Sequence, residues 1–197
     1  MSAKRKFTVP IMLVIITLLT FLIVVLFSRV LLDGQSLKTE RGERLASGYN
    51  ACISYAGALK SLASGLLEAK DEVARLPAKV EQGKMESSAS ECQGLLQESG
   101  IRSGMSEEAA TSAVSGPLQK IQDKLAPIGN HAGPLTDEER TLLTAASAAS
   151  DKLSSILAAY NTPTGSDRFR QMQAGVDWVP VAQNFVRELS EAAAAFG

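Results

Sequence analysis

Aromatic residues supply only 5% of this chain, histidine occurs once and cysteine twice. Each scarcity excludes something. Strands favour aromatic and β-branched residues. Here the β-branched residues concentrate near the N-terminus and are sparse afterwards, while Ala and Leu dominate, which points to helices. One histidine and two cysteines cannot make a structural zinc set, which needs four ligands at matching spacing. The Glu-x-x-His pattern of di-iron bundles is absent, as are G-x-S-x-G, H-E-x-x-H, P-loop and dinucleotide fingerprints. The lone His131 lies in "GNHAGP" and reads as a solvated loop residue. The acidic runs Glu107-Glu108 and Asp137-Glu138-Glu139 fall at helix starts, where the macrodipole already explains them. No enzyme, catalytic residue, metal or cofactor is therefore expected.

What is present begins with "VPIMLVIITLLTFLIVVLFS", Val9 to Ser28, without a charge. A helix of that length rises about 30 Å, the thickness of a bilayer's hydrocarbon core. A cleaved secretory signal has a shorter apolar region of about 7–15 residues and a small-residue cleavage site. "SRVLLDGQ" offers no convincing site, so a retained anchor over residues 9–32 is the expectation. Lys4, Arg5 and Lys6 precede the span, while Arg29 and Asp33 nearly cancel after it. The positive-inside rule puts residues 1–8 in the cytoplasm and residues 35–197 outside, on a single-pass inner-membrane protein whose bulk is periplasmic. Of 20 Lys+Arg and 21 Asp+Glu, four basic residues and one acidic residue precede Gly34, leaving 16 against 20. That acidic balance argues against nucleic acid, which needs clustered basic charge.

Beyond the span, Leu45, Tyr49, Cys52, Ala56, Leu59, Ala63, Leu66, Lys70 and Val73 recur at alternating steps of four and three, and Ile53, Leu62, Leu67 and Leu76 widen the stripe. This is the pattern of a bundle helix with more than one neighbour. Ala56 and Ala63 allow close approach, and Pro77 is expected to end the helix. A second helix is expected over Ala78–Ser99 with Gly100 as its cap. A third starts at Ser106 and is interrupted at Gly116-Pro117. A fourth starts at Thr136 and runs to about Tyr160. The last starts near Ser166, carries Phe169, Met172, Val176, Val179, Val186 and Leu189, and is bent or split by Pro180 near Trp178. The fold class is all-α: a transmembrane helix followed by an antiparallel four-helix-type bundle of long helices, with the two middle segments laid end to end as one column.

With the hairpin turning at Leu76–Lys79, Cys52 and Cys92 would lie about 18 Å apart along the bundle. A disulfide needs Cα atoms within about 7 Å, so two separate core thiols are expected. Oxidation would require a turn near residue 72. Trp178 reads as a packing anchor at the kink or, alternatively, as a contact for a partner.

The layout resembles the LemA family of membrane-anchored bacterial helical proteins. The residues that carry the resemblance are Tyr49-Asn50 soon after the anchor, Pro77 in "RLPAKVE", and Tyr160, Phe169, Gln171 and Gln173 in "YNTPTGSDRFRQMQ". The chain departs from the family's pattern in having no Trp after the first Tyr-Asn and no Tyr-Asn pairs closing the last helix. The resemblance implies a non-enzymatic envelope protein. With the bilayer as one partner through residues 9–32, the expected role is a scaffold or interaction module, with an envelope protein or a second copy as the other partner. The alternative is a sensory or ligand-binding bundle acting through a membrane partner.

Overall fold

The computed structural model describes residues 5–175 and 177–196, with side chains from Met12 onward. Lys4 and Val176, used above, lie outside the described residues. All regular structure among the described residues is helical. The first helix, α1, runs unbroken from Arg5 to Glu68. Its N-terminal part is long and apolar enough to cross a membrane, and nothing in the fold covers it. The side chains through Leu32 are exposed, and packing begins at Gly42. Residues 35–41 extend the same helix as an exposed neck.

The end of α1 corrects the expected register. After Glu68 the chain turns through residues 69–72, makes one 3-10 turn at Val73–Arg75, and enters α2, Leu76–Arg102. Asp71 caps that turn by accepting a hydrogen bond from the Ala74 amide at 2.9 Å. Pro77 thus opens α2 instead of closing α1. A residue without an N–H suits the first turn of a helix as well as it stops one. Lys70 and Val73 accordingly leave the seam, and Val73 and Leu76 are exposed.

The moved turn also corrects the cysteines. With the reversal near residue 72, Cys52 and Cys92 face each other and form a disulfide, Cα atoms 4.7 Å apart. Both are fully buried. Close packing runs along the whole hairpin: a Cβ on Gly48, near the disulfide, would come within 3.0 Å of the Leu95 Cβ, and one on Gly65, near the turn, within 3.1 Å of the Ala78 Cβ.

Gly100 does not cap α2, which runs on to Arg102. The left-handed residue is Gly104, φ 93°. Ser106 then caps α3, Glu107–Leu125, by accepting from the Ala109 amide. Pro117 lies inside α3 without breaking it. Val114 and Leu118, on either side of it, are both buried and hold both turns on the core. α3 folds back beside α2, so Glu86 and Ser90 share a cleft with Gln122 and Ser115. The end-to-end column expected for these segments does not form. Thr136 and Glu139 make a capping box at the start of α4, Asp137–Leu157. α5, Ser166–Ala174, ends at the left-handed Gly175, and α6 spans Trp178–Ala195 with Pro180 in its first turn. The split near Trp178 is as expected.

α1 packs on α2, α4 and α5, and α6 packs on α2, α3 and α4. Leu59, Leu62, Leu66, Leu96, Ile121 and Phe185 are among the fully buried side chains, each worth about 1.5–3 kcal/mol on burial.

Candidate functional site

Residues singled out from the sequence gather at the end of the bundle nearest the apolar segment. The Tyr49 hydroxyl donates to the Leu157 carbonyl at 2.7 Å, closing the last turn of α4. Its ring meets Tyr160 edge-on, centroids 5.1 Å apart, a favoured aromatic geometry. Burial, and then Tyr160, push the Tyr49 phenol pKa up, so it stays a neutral donor. The neighbouring Asn50 Oδ1 accepts from the Thr162 hydroxyl at 2.9 Å. Tyr49 and Asn50 thus bind the loop over residues 158–165 to α1.

α5 closes the same end. A Cβ on Gly42 would lie 1.8 Å from the Phe169 carbonyl oxygen, so only glycine admits this crossing of α1 and α5. Phe169 packs against the core, and Gln171 is exposed. Trp178 is 0% exposed, and its indole N–H donates to the Met172 carbonyl at 2.7 Å. Its ring offers no surface to a partner, which corrects the partner-contact alternative: the fold uses Trp178 as the anchor beneath α5. Arg102 lies over that ring, 5.6 Å from its centroid. The Arg102 Nε bonds Glu98 at 2.7 Å and Nη1 donates to the Gln173 carbonyl at 2.6 Å. Beside it, Arg41, Arg44, Gly48, Glu91 and Gly94 help line a groove of about 470 Å³ between α1 and α2.

Pro77 lies at the opposite end, about 40 Å away along α1. There Arg75 is 2% exposed. Its guanidinium donates to the carbonyls of His131 at 2.8 Å, Gly129 at 3.3 Å, and Gly133. Glu139 accepts from the Gly129 and Thr136 amides, at 2.9 and 2.8 Å, and meets His131 Nε2 at 2.9 Å. Desolvation pulls the Glu139 pKa up, but the hydrogen bonds from Gly129, Thr136 and His131 together outweigh it and hold it at about 2. His131 is raised, chiefly by that bond to Glu139. These groups lock the loop over residues 129–136. No cluster of His, Cys, Asp and Glu suited to a metal occurs among the described residues.

Arg75, Arg102 and Gly42 went unread from sequence. Arg102 at a helix C-terminus could have been flagged as a macrodipole partner, whereas nothing local marks Gly42. Comparison of the chain with family models, with curated proteins and with solved structures finds no match. The resemblance to the LemA family therefore rests on the quoted residues alone.

Proposed function

We propose that this chain is a non-enzymatic, membrane-anchored helical-bundle protein of the bacterial cell envelope, LemA-like, which works as a scaffold or interaction module. The observation that carries the reading is α1 itself: one helix whose apolar first part meets no protein and whose last part is a column of a packed bundle. In its finer form the fold is a four-helix-type antiparallel bundle. The contacts of α1 with α2 and α4, and of α6 with α2 and α4, support a ring of four, with α3 and α5 laid against it. The Cys52–Cys92 disulfide supports placing the bundle outside the cytoplasm, where such bonds persist. The basic N-terminal flank supports the same inside-to-outside direction.

The groove beside Arg102 favours the second reading, a ligand-binding bundle that signals through a partner. Crosslinking in native membranes followed by mass spectrometry separates the two. A stable protein partner or a second copy supports the scaffold. A monomeric bundle with a co-purifying small molecule supports the sensor. Recovery of the intact chain in the soluble fraction defeats both.

A further inference from the structure

The groove between α1 and α2 holds two arginines, Arg41 and Arg44, that no ion pair among the described residues uses. Three arginines, Arg41, Arg44 and Arg102, face two glutamates, Glu91 and Glu98. Glu98 is already engaged by Arg102. Arg41 and Arg44 are exposed. Arg102 is held in place by Glu98, the Gln173 carbonyl and the Trp178 ring, with Nη2 outside those bonds. A fixed guanidinium beside two free ones suits a phosphate group, which takes charge-assisted and often bidentate hydrogen bonds from arginine.

The position of the groove selects the source. Side chains on a helix tilt toward its N-terminus, and the N-terminus of α1 is its apolar segment. Arg41 therefore reaches back toward the bilayer. It lies about 14 Å along the helix beyond Leu32. The headgroup layer extends about 5–7 Å past the hydrocarbon on each face. Arg41 thus stands roughly 7–9 Å above that layer, and the length of its own side chain together with an ordinary helix tilt of about 20° spans the difference.

We propose that this groove binds a phosphate group, and that in the anchored chain the phosphate belongs to an anionic lipid headgroup of the membrane that α1 enters. Arg41 and Arg44 supply the attraction, and Arg102 fixes the position. The contact orients the bundle against its own membrane across the exposed neck. This rests on the anchored reading above. Sedimentation with alkaline-washed membranes tests the anchor alone, so failure of the anchor and failure of the lipid contact are separate results.

Trp178, the only tryptophan, lies under Arg102 and reports on the groove. The full chain is reconstituted in phosphatidylcholine vesicles. Short-chain phosphatidylglycerol is added in one arm and inorganic phosphate in the other, and Trp178 emission is followed. Native mass spectrometry of the detergent-purified chain counts retained phosphatidylglycerol as a second readout. The expected result is a saturable response to phosphatidylglycerol, with half-saturation on the order of thirtyfold weaker in Arg41→Gln/Arg44→Gln. Lys70→Gln/Lys124→Gln, which removes equal charge at the far end, leaves it unchanged. A response to inorganic phosphate alone, with the same arginine dependence, keeps the phosphate site and overturns the lipid source. Overturning the site itself takes no response and no retained lipid, or a response equal in the arginine variant.

Discussion

At the end near the apolar segment, residues 158–165 are held by phenol rings, a hydroxyl and an amide: Tyr49, Tyr160, Thr162 and Asn50. At the far end, residues 126–136 are held by a buried guanidinium and a carboxylate, Arg75 and Glu139. Both ends solve one problem, the unpaired carbonyls and amides where helices stop. The difference lies in where charge goes. The far end turns its charge inward, so its stability depends on pH. The near end holds its 158–165 loop with neutral groups, adds the Arg102 clasp on Glu98 and the Gln173 carbonyl, and leaves Arg41 and Arg44 on the surface for something else to meet.

The disulfide lies one turn beyond Tyr49 and ties α1 to α2, so its loss is expected to weaken the whole hairpin. Cys52→Ala/Cys92→Ala frees a loop of 40 residues and is expected to cost about 4 kcal/mol, read by urea unfolding of the bundle. Arg75→Met comes next. It leaves the Gly129, His131 and Gly133 carbonyls without their donor, and a loss of about 3 kcal/mol is expected in the same measurement. The Trp178 emission of the folded state should stay unchanged, because the damage is at the far end.

Acid separates the ends without mutation. The Glu139 pKa is lowered from 4.5 to about 2. Its contribution is therefore present above the unfolded value and is lost as pH falls through that window, up to about 3 kcal/mol. Hydrogen exchange should show residues 126–136 opening first on acidification while residues 158–165 stay protected. His131 works in the other direction. Its pKa is raised, so its small contribution is complete below the unfolded value of 6.5 and fades as pH rises.

Two smaller perturbations address the near end. Gly42→Ala pushes a methyl into the Phe169 backbone and should cost about 2 kcal/mol as α5 shifts, with a change in Trp178 emission. Tyr49→Phe removes one buried bond and should cost about 1 kcal/mol. Tyr55→Phe is its control: the Tyr55 hydroxyl is buried without a partner, so thermal melting should show no loss or a slight gain.

Helix starts were legible because their signals are local. Ser106, Thr136 and Ser166 begin helices where the sequence places them. The split before α6 was legible too, although Gly175 makes it and Pro180 only accommodates it. The α1–α2 reversal is ambiguous in the sequence because Pro77 suits a helix end and a helix start equally, and the feature that decides it, Asp71 accepting from the Ala74 amide, is the smaller signal. That one displacement moved the register of the whole hairpin, and with it the pairing of Cys52 and Cys92. The gathering of Tyr49, Asn50 and Tyr160 is not legible in the sequence: the resemblance singles out these residues but not their contacts, which depend on where the end of α4 meets α1. Arg102 over Trp178 depends on α6 meeting the end of α2, which no local pattern encodes.

The central proposal is a bundle anchored by α1 and stapled by the Cys52–Cys92 disulfide outside the cytoplasm. Thiol alkylation of intact cells, followed by membrane fractionation and non-reducing electrophoresis, tests it most directly. The account predicts that the chain pellets with membranes and that Cys52 and Cys92 resist alkylation until a reductant is added under denaturing conditions. Two free thiols alkylated in the denatured chain without reductant, or the chain in the soluble fraction, would contradict it.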